Sequence, residues 1–276
     1  MTSHNAPPTT PPTTPADPTA QNAARSASAT DATGAAVTKL ADVVPHNEST
    51  LPPALPGAHW DSIAGERVAF LPQRAAWWER ARTLILADLH LGKAETFAAA
   101  GAALSGGVLD HTLAQLSDLA SSLDAARLII VGDLLHAPAG LTPAMIDRVR
   151  EWRRTLLAQI VVVPGNHDRR IDVVTREWDL LVTSASLIEP PFGFVHDPAD
   201  VPDASPSVAT WWVGHVHPCI WLGNRADALK LPCFIASDRL VQLPAFSTFT
   251  SGVCVRPSPG DRVHAIADST VVSLTR

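Results

Sequence analysis

The chain reads as an α/β protein in which two β-sheets pack together with helices outside. Three observations predict it. Hydrophobic residues make up 46% of the 276 positions, enough for a sizeable core. From His59 to about Asp179, apolar runs of strand length alternate with segments of helical period. Beyond Asp179 only short strand-like runs follow one another. An α/β first half ahead of a β-rich second half is what two packed sheets with outer helices require.

Residues 1 to about 58 differ in kind from the rest. The run APPTTPPTTPADPTAQNAARSASATDATGAA is Pro, Thr, Ala and Ser with almost no large apolar side chains. It cannot bury enough surface to offset its ordering entropy. It reads as a disordered, polyproline-leaning tail, with the folded domain over residues 59–276.

Within that domain GERVAFLP is the first expected strand, and RTLILADLH is apolar and β-branched up to an acid. KAETFAAAG and VLDHTLAQLSDLASSL carry the i, i+3, i+4 spacing of amphipathic helices, with Leu109, Leu113, Leu116 and Leu119 turned inward. RLIIVGD returns to strand. Thr142 is placed to cap a helix through PAMIDRVREWRRTLL, with Pro143 suited to its first turn. QIVVVPGNHD is a strand ending in a loop, and LLVTS, ASLIEP, FGFVH, ATWWVGH, KLPCFIAS, GVCVRP, RVHAIAD and TVVSLT follow as short strands.

Composition narrows the function. A formal net charge of −6 and a pI of about 6.0 exclude a bulk polyanion binder. Contact with nucleic acid would need a local basic patch or bound cations. Cys219, Cys233 and Cys254 form no CxxC pair, which points to buried thiols in a reducing compartment. No apolar run approaches the roughly 20 residues that span a membrane, and the first residues lack the pattern of a secretory signal. A cytoplasmic protein without membrane contact is expected.

The chemistry lies in five polar clusters, each directly after an apolar run. Asp88 and His90 follow TLILA; Asp133 follows LIIVG; Asn166, His167 and Asp168 follow IVVVPG; His196 follows FGFV; His215 and His217 follow TWWVG. Carboxyl ends of strands are where α/β sheets gather functional groups. Singly, each cluster has an ordinary reading: a turn, a polar loop residue, two histidines on one strand face. Together they supply oxygen and imidazole donors that suit Mn²⁺, Fe or Zn²⁺ and are too nitrogen-rich for Ca²⁺ or Mg²⁺. Seven of these nine side chains already exceed the needs of one tetrahedral ion and fit two ions sharing a carboxylate.

In this order DLH, GD, GNHD, a solitary His and GHVH resemble the signature of calcineurin-like metallophosphoesterases, over about residues 60 to 276. ADLHLGKAETFAAAG, GDLLHAPAG, GNHDRR, VHDP, GHVHPC, LPCF, LPAFSTFTSG and RPSPGDRVHAIAD are further similar to the ligase-associated DNA damage response endonucleases of the PdeM type. The resemblance implies an α-β-β-α sandwich of two mixed sheets. It implies a first divalent ion on Asp88, His90 and His217, a second on Asn166, His196 and His215, and Asp133 bridging them. Mn²⁺ is the expected ion, Fe or Zn²⁺ the alternatives. His167 would stand beside the scissile phosphate as the catalytic acid or charge stabiliser, and Asp168 would orient a neighbour. DNA becomes the expected substrate, and a DNA ligase and helicase the expected partners. GDLLHA, with His136 where protein phosphatases of the superfamily carry a second acid, departs from that branch.

Other residues keep two readings. Lys93, Arg169 and Arg170 either touch a phosphodiester backbone or are ordinary surface charge. Trp77, Trp78, Trp211 and Trp212 fit core packing better than base stacking. Phe246 and Phe249 either form a substrate-side lip or anchor a turn, and His136 is either near the substrate or a satisfied core histidine. The rivals to a DNA phosphodiesterase are a hydrolase of a small or lipid-linked pyrophosphate or cyclic nucleotide, and a repair-complex scaffold in which hydrolysis is secondary.

Overall fold

The computed structural model describes residues 55–102, 107–223 and 227–274. Positions 1–54 of the expected tail lie outside these. Leu55 and Ala58 already pack against the first core, and the Val271 N–H donates to the Gly57 carbonyl at 2.7 Å.

The first sheet takes seven strands side by side in chain order: β1 (His59–Ile63), β2 (Glu66–Phe70), β3 (Ala76–Trp78), β4 (Thr83–Leu86), β5 (Arg127–Val131), β6 (Gln159–Val163) and β7 (Leu180–Val182). The first four pair antiparallel and β4 to β7 parallel. The parallel part is buried on both faces, which is why its strands read as continuous apolar runs. Leu84, Leu86, Leu128, Ile130, Ile160 and Val162 face the helical core, while Ile85, Ile129, Val131, Val161 and Val163 face the second sheet.

Among the described residues four α-helices accompany this sheet: α1 (Lys93–Ala99), α2 (Val108–Ser122), α3 (Pro143–Arg153) and the short α4 (Asp172–Thr175). Leu113, Leu116 and Leu119 of α2 and Met145, Val149 and Trp152 of α3 enter the helical core, with Leu109 half-buried against it. Thr142 caps α3 as expected, its hydroxyl accepting from the Met145 N–H at 3.2 Å. The helix stops at Arg153, short of the expected TLL, where the chain turns through i→i+3 bonds from Thr155 to Trp152 and Leu156 to Arg153, with Leu156 in the core and Leu157 exposed.

The second sheet holds β8 (Ser186–Glu189), β9 (Phe192–Val195), β10 (Thr210–Val213), β11 (Pro218–Leu222), β12 (Leu229–Ala236), β13 (Leu240–Gln242) and β14 (Val253–Cys254), in the order β14-β11-β12-β13-β10-β9-β8. β15 (Arg262–Ala267) and β16 (Thr270–Leu274) extend it through β12. β10 runs parallel to β9 and to β13, so this sheet too is mixed. Phe192, Phe194, Trp212, Phe234 and Val241 close the core between the sheets. Truncating one of these rings would cost about 3–5 kcal/mol. Both sheets therefore present parallel strand ends to one side.

All four tryptophans of the two WW pairs are buried, so they pack the core as expected. Cys219 and Cys233 are buried, but Cys254 is exposed on the edge strand β14, and all three thiols are free. Among the described residues no helix is long and apolar enough to cross a membrane.

Candidate metal centre

The loops after β4, β5, β6, β9 and β10 meet at one place, and main-chain bonds fix their register. The Asp88 N–H donates to the Gly132 carbonyl at 3.0 Å, His90 to Asp133 at 2.9 Å, Leu91 to Leu134 at 2.8 Å and Gly214 to His196 at 3.0 Å. Asp88, His90, Asp133, His215 and His217 all hold positive φ, between 50° and 67°. Such backbone costs an L-residue of order 1–3 kcal/mol and persists only where its surroundings over-determine it. Two glycines make room. A Cβ on Gly132 would meet His196 Nδ1 at 2.0 Å, and one on Gly165 would meet Asp133 Oδ1 at 2.3 Å. The glycine of GD and that of GNHD thus keep space for side chains of the neighbouring motifs.

The seven expected ligands come together in two groups, Asp88 with His90 and His217, and Asp133 with His196 and His215. Asn166 completes the second: its Oδ1 lies 3.2 Å from His196 Nε2 and 3.1 Å from His215 Nδ1. His196 Nδ1 lies 3.1 Å from the Val131 carbonyl, which can only accept, so that nitrogen carries the hydrogen and Nε2 turns to the group. Nε2 is also 3.4 Å from Asp133 Oδ2 and 3.3 Å from His215 Nδ1. Acceptors converge here with too few hydrogens between them. In the first group His217 Nε2 sits 3.0 Å from Asp88 Oδ1, yet His217 Nε2 and His90 Nδ1 are buried without hydrogen-bond partners. Orphaned buried nitrogens beside a carboxylate in the first group, and converging acceptors in the second, each fit a divalent cation. The main-chain N–H of His215 ties the groups together by donating to Asp88 Oδ2 at 3.2 Å.

Electrostatics point the same way. Burial raises the pKa of the Asp88 carboxyl above its usual range, with His217 opposing. Burial raises that of Asp133 too, but the His196 contact outweighs it and holds the carboxyl below the ordinary value. Burial lowers His196, and Asp133 more than reverses this, so its imidazole is raised. Burial keeps the His90 ring neutral, well below the usual histidine value. The second group already calls for one positive charge, which a metal ion supplies as well as a proton does.

The remaining candidates separate. His167 is half-buried; its Nδ1 donates to the His136 carbonyl at 2.6 Å, and its Nε2 lies 3.9 Å from Asp133 Oδ2. Asp168 is 3% exposed and clamps two loops, accepting from the main-chain N–H of Gly165 at 2.8 Å, Leu135 at 2.8 Å and Leu134 at 3.3 Å. Lys93 does not hang free: its ammonium donates to the Phe249 carbonyl at 2.8 Å and to Thr250 Oγ1 at 3.1 Å. Arg169 and Arg170 are exposed beside the site. Phe246 is buried and anchors its loop, whereas Phe249 is exposed.

Two residues lie outside the expected set. His136 joins His90 and His167 in a third group of ring nitrogens; its place in GDLLHA was the only sequence signal. Asp197 Oδ2 lies 3.7 Å from His215 Nε2 and so faces the edge of that ring opposite the metal group. A carboxylate behind a ligating histidine fixes its tautomer.

The sequence pattern of the calcineurin-like phosphoesterase family matches residues 81–219. Among solved structures, the nuclease MPE of Pseudomonas putida superposes with a TM-score of 0.67 at 31% identity, covering 78% of this chain and 100% of its own. Yfce, a phosphoesterase from E. coli, lies far more distant at 16% identity and a TM-score of 0.37, with 70% of this chain and 97% of its own covered. No curated protein matches.

Proposed function

Because the chain belongs to the calcineurin-like phosphoesterase family and is a metal-dependent phosphoester hydrolase, we propose that it is a two-metal phosphodiesterase that cuts DNA, an endonuclease of a DNA damage response. The observation that carries the two-metal reading is the pair of convergent ligand groups, each with acceptors or buried nitrogens that lack hydrogens to share. The likeness to a bacterial nuclease supports the substrate. Asp88, His90 and His217 would hold one ion, Asn166, His196 and His215 would hold the other, and Asp133 would serve both groups. Mn²⁺ is the ion that the family resemblance favours, with Fe or Zn²⁺ the alternatives that this imidazole-rich donor set also admits. When bound, such a pair acidifies water and offsets charge on the phosphate.

The chain's own residues do the rest. His136 fixes the tautomer of His167 through its carbonyl, leaving Nε2, 3.9 Å from Asp133 Oδ2, as the nitrogen beside the ligand groups. Protonated there, His167 donates to the leaving oxygen or to a phosphate oxygen as charge develops. Asp168 holds the GD and GNHD loops at fixed separation, so the distance from His167 to the ligand groups does not drift. Arg169 and Arg170 meet the flanking phosphates. The protein works in a reducing cytoplasm that keeps its thiols free, beside a DNA ligase and helicase. A panel with Mn²⁺ tests the substrate: single-stranded DNA, duplex DNA, a cyclic dinucleotide and a nucleoside-diphosphate lipid. DNA is expected to be cleaved fastest; faster turnover of either of the last two refutes the DNA reading and leaves the metal centre standing.

A further inference from the structure

Helix α1 buries none of its residues, so it adds nothing to the core. It begins three residues after the ligand His90 and carries Phe97, 38% exposed. The Phe97 ring lies 6.3 Å from the His136 ring at an interplanar angle of 16°. His136 in turn lies 5.7 Å from His167 at 17°. Three near-parallel rings therefore follow one another from His167 through His136 to Phe97, and the last of these residues is the one exposed to solvent.

The helix that carries the outer ring is held at its start from two sides. Lys93, the first residue of α1, ties the helix to the 249–250 loop through its ammonium. On the other flank the backbones of Gly92 and Gly140 touch: a Cβ on Gly140 would meet the Gly92 carbonyl at 2.1 Å. A helix without buried side chains gains little from packing on the core, and the ring contact of its exposed phenylalanine among the described residues is with His136.

Resting on the reading of the substrate as DNA, we infer that Phe97 is a base-stacking subsite. With a phosphodiester at the ligand groups and His167, the base of the adjoining nucleotide lies on the exposed face of Phe97 and extends the stack begun by the two histidines. Such stacking is tolerant of base identity because every nucleobase offers a π-face. The subsite makes the enzyme depend on the presence of a base next to the cut, not on which base it is. It also draws bare phosphodiesters and nucleotides apart as substrates.

The experiment compares the full chain and its F97A, F97L and F97W variants in Mn²⁺. The probes are a thymidine oligonucleotide and a strand of equal length whose sugars are abasic, with bis(p-nitrophenyl) phosphate as a baseless diester control for the metal centre. The native protein is expected to cleave the thymidine strand roughly 10–100-fold more efficiently in kcat/KM than the abasic one, the scale of one base–aromatic stack. F97A and F97L are expected to bring that ratio close to one by losing rate on the thymidine strand alone, and F97W to keep it. Leucine fills the same space without a π-face, so F97L separates stacking from simple cover over His136. Equal loss on both strands, or no preference in the native protein, overturns the subsite while leaving the nuclease reading intact. Turnover of the nitrophenyl diester with neither strand cut overturns the DNA reading and the subsite with it.

Discussion

Two buried clusters of histidine and aspartate in this protein have nearly the same ingredients and opposite characters. One is the metal centre. The other lies at the junction of β1 and β15, where His264 is 1% exposed, its Nε2 3.2 Å from Asp61 Oδ2, its ring 4.7 Å from His59 and stacked 4.5 Å from Phe70. Both contain orphaned buried atoms. The second cluster, however, sits in the middle of strands with ordinary backbone, and it forms no three-ligand group among the described residues. At the metal centre five of the seven expected ligands hold positive φ, and glycines clear the space around them. Composition and burial alone do not make a site. Strand ends do, because only there can five separate segments turn their side chains to one point.

The comparison predicts that perturbation destroys chemistry at one cluster and only shifts stability at the other. The largest effect is expected at Asp133. Asp133→Asn removes the charge shared between the two groups, so hydrolysis should be abolished and bound metal fall from two per chain towards one or none. Elemental analysis with a diester assay checks this, and full turnover with two metals in the variant would remove Asp133 from the bridging position.

His167→Gln comes next. It should retain both metals and slow diester cleavage by about 10²–10⁴-fold, the usual scale for a positioned acid or base. The loss should be greater for DNA than for a nitrophenyl ester, since a nitrophenolate leaves without a proton and a deoxyribose alkoxide does not. Equal slowing on both substrates together with lost metal would make His167 a structural or ligating residue instead.

Asp168→Ala should act more mildly. It strands three main-chain N–H groups, each worth about 1–3 kcal/mol when left unpaired in the interior, and frees the two loops that it joins. Thermal stability should fall and metal affinity weaken by about 10–100-fold. Unchanged metal affinity in a destabilised variant would confine Asp168 to a folding role.

The smallest effect on chemistry is expected at the other cluster. Burial, then His59, depresses the His264 pKa to about 4. The unfolded chain takes up that proton near pH 6.5 and the folded one only near the depressed value, so the unfolded state binds more protons in between. Stability is therefore undiminished above about pH 6.5, falls as the pH drops towards 4 and levels off below, by at most about 3 kcal/mol. His264→Gln should flatten that fall in a denaturation series and leave turnover at neutral pH unchanged. A variant with the native slope would show that another group titrates there.

Much of the molecule was legible in its sequence, for reasons that differ by region. The strands β4, β5, β6, β9 and β10 stood out because burial on both faces makes each a continuous apolar run, and the polar residues ending those runs supplied all seven candidate ligands. The 15 residues of α2 showed because a long helix repeats its period. β1, β3, β11 and β13 were not expected. β3 and β13 have three residues each, too few to display a period of two, while HWDSI in β1 mixes polar and apolar positions on a sheet edge.

Sequence by itself determined which side chains can bind metal and the order in which the chain delivers them, because donor chemistry is a property of each residue and strand ends are marked locally. Tertiary structure alone decided their second contacts. That Asp168 accepts from Leu134 and Leu135, that Asp197 backs His215, that Lys93 holds a loop 156 positions away, and that Phe97 stacks on His136 are all relations across sheets or between loops. They depend on register, on the close approach that Gly132 and Gly165 permit, and on how two sheets settle on one core. No local pattern records those, since each contact is set by the packing of residues far from it in the chain.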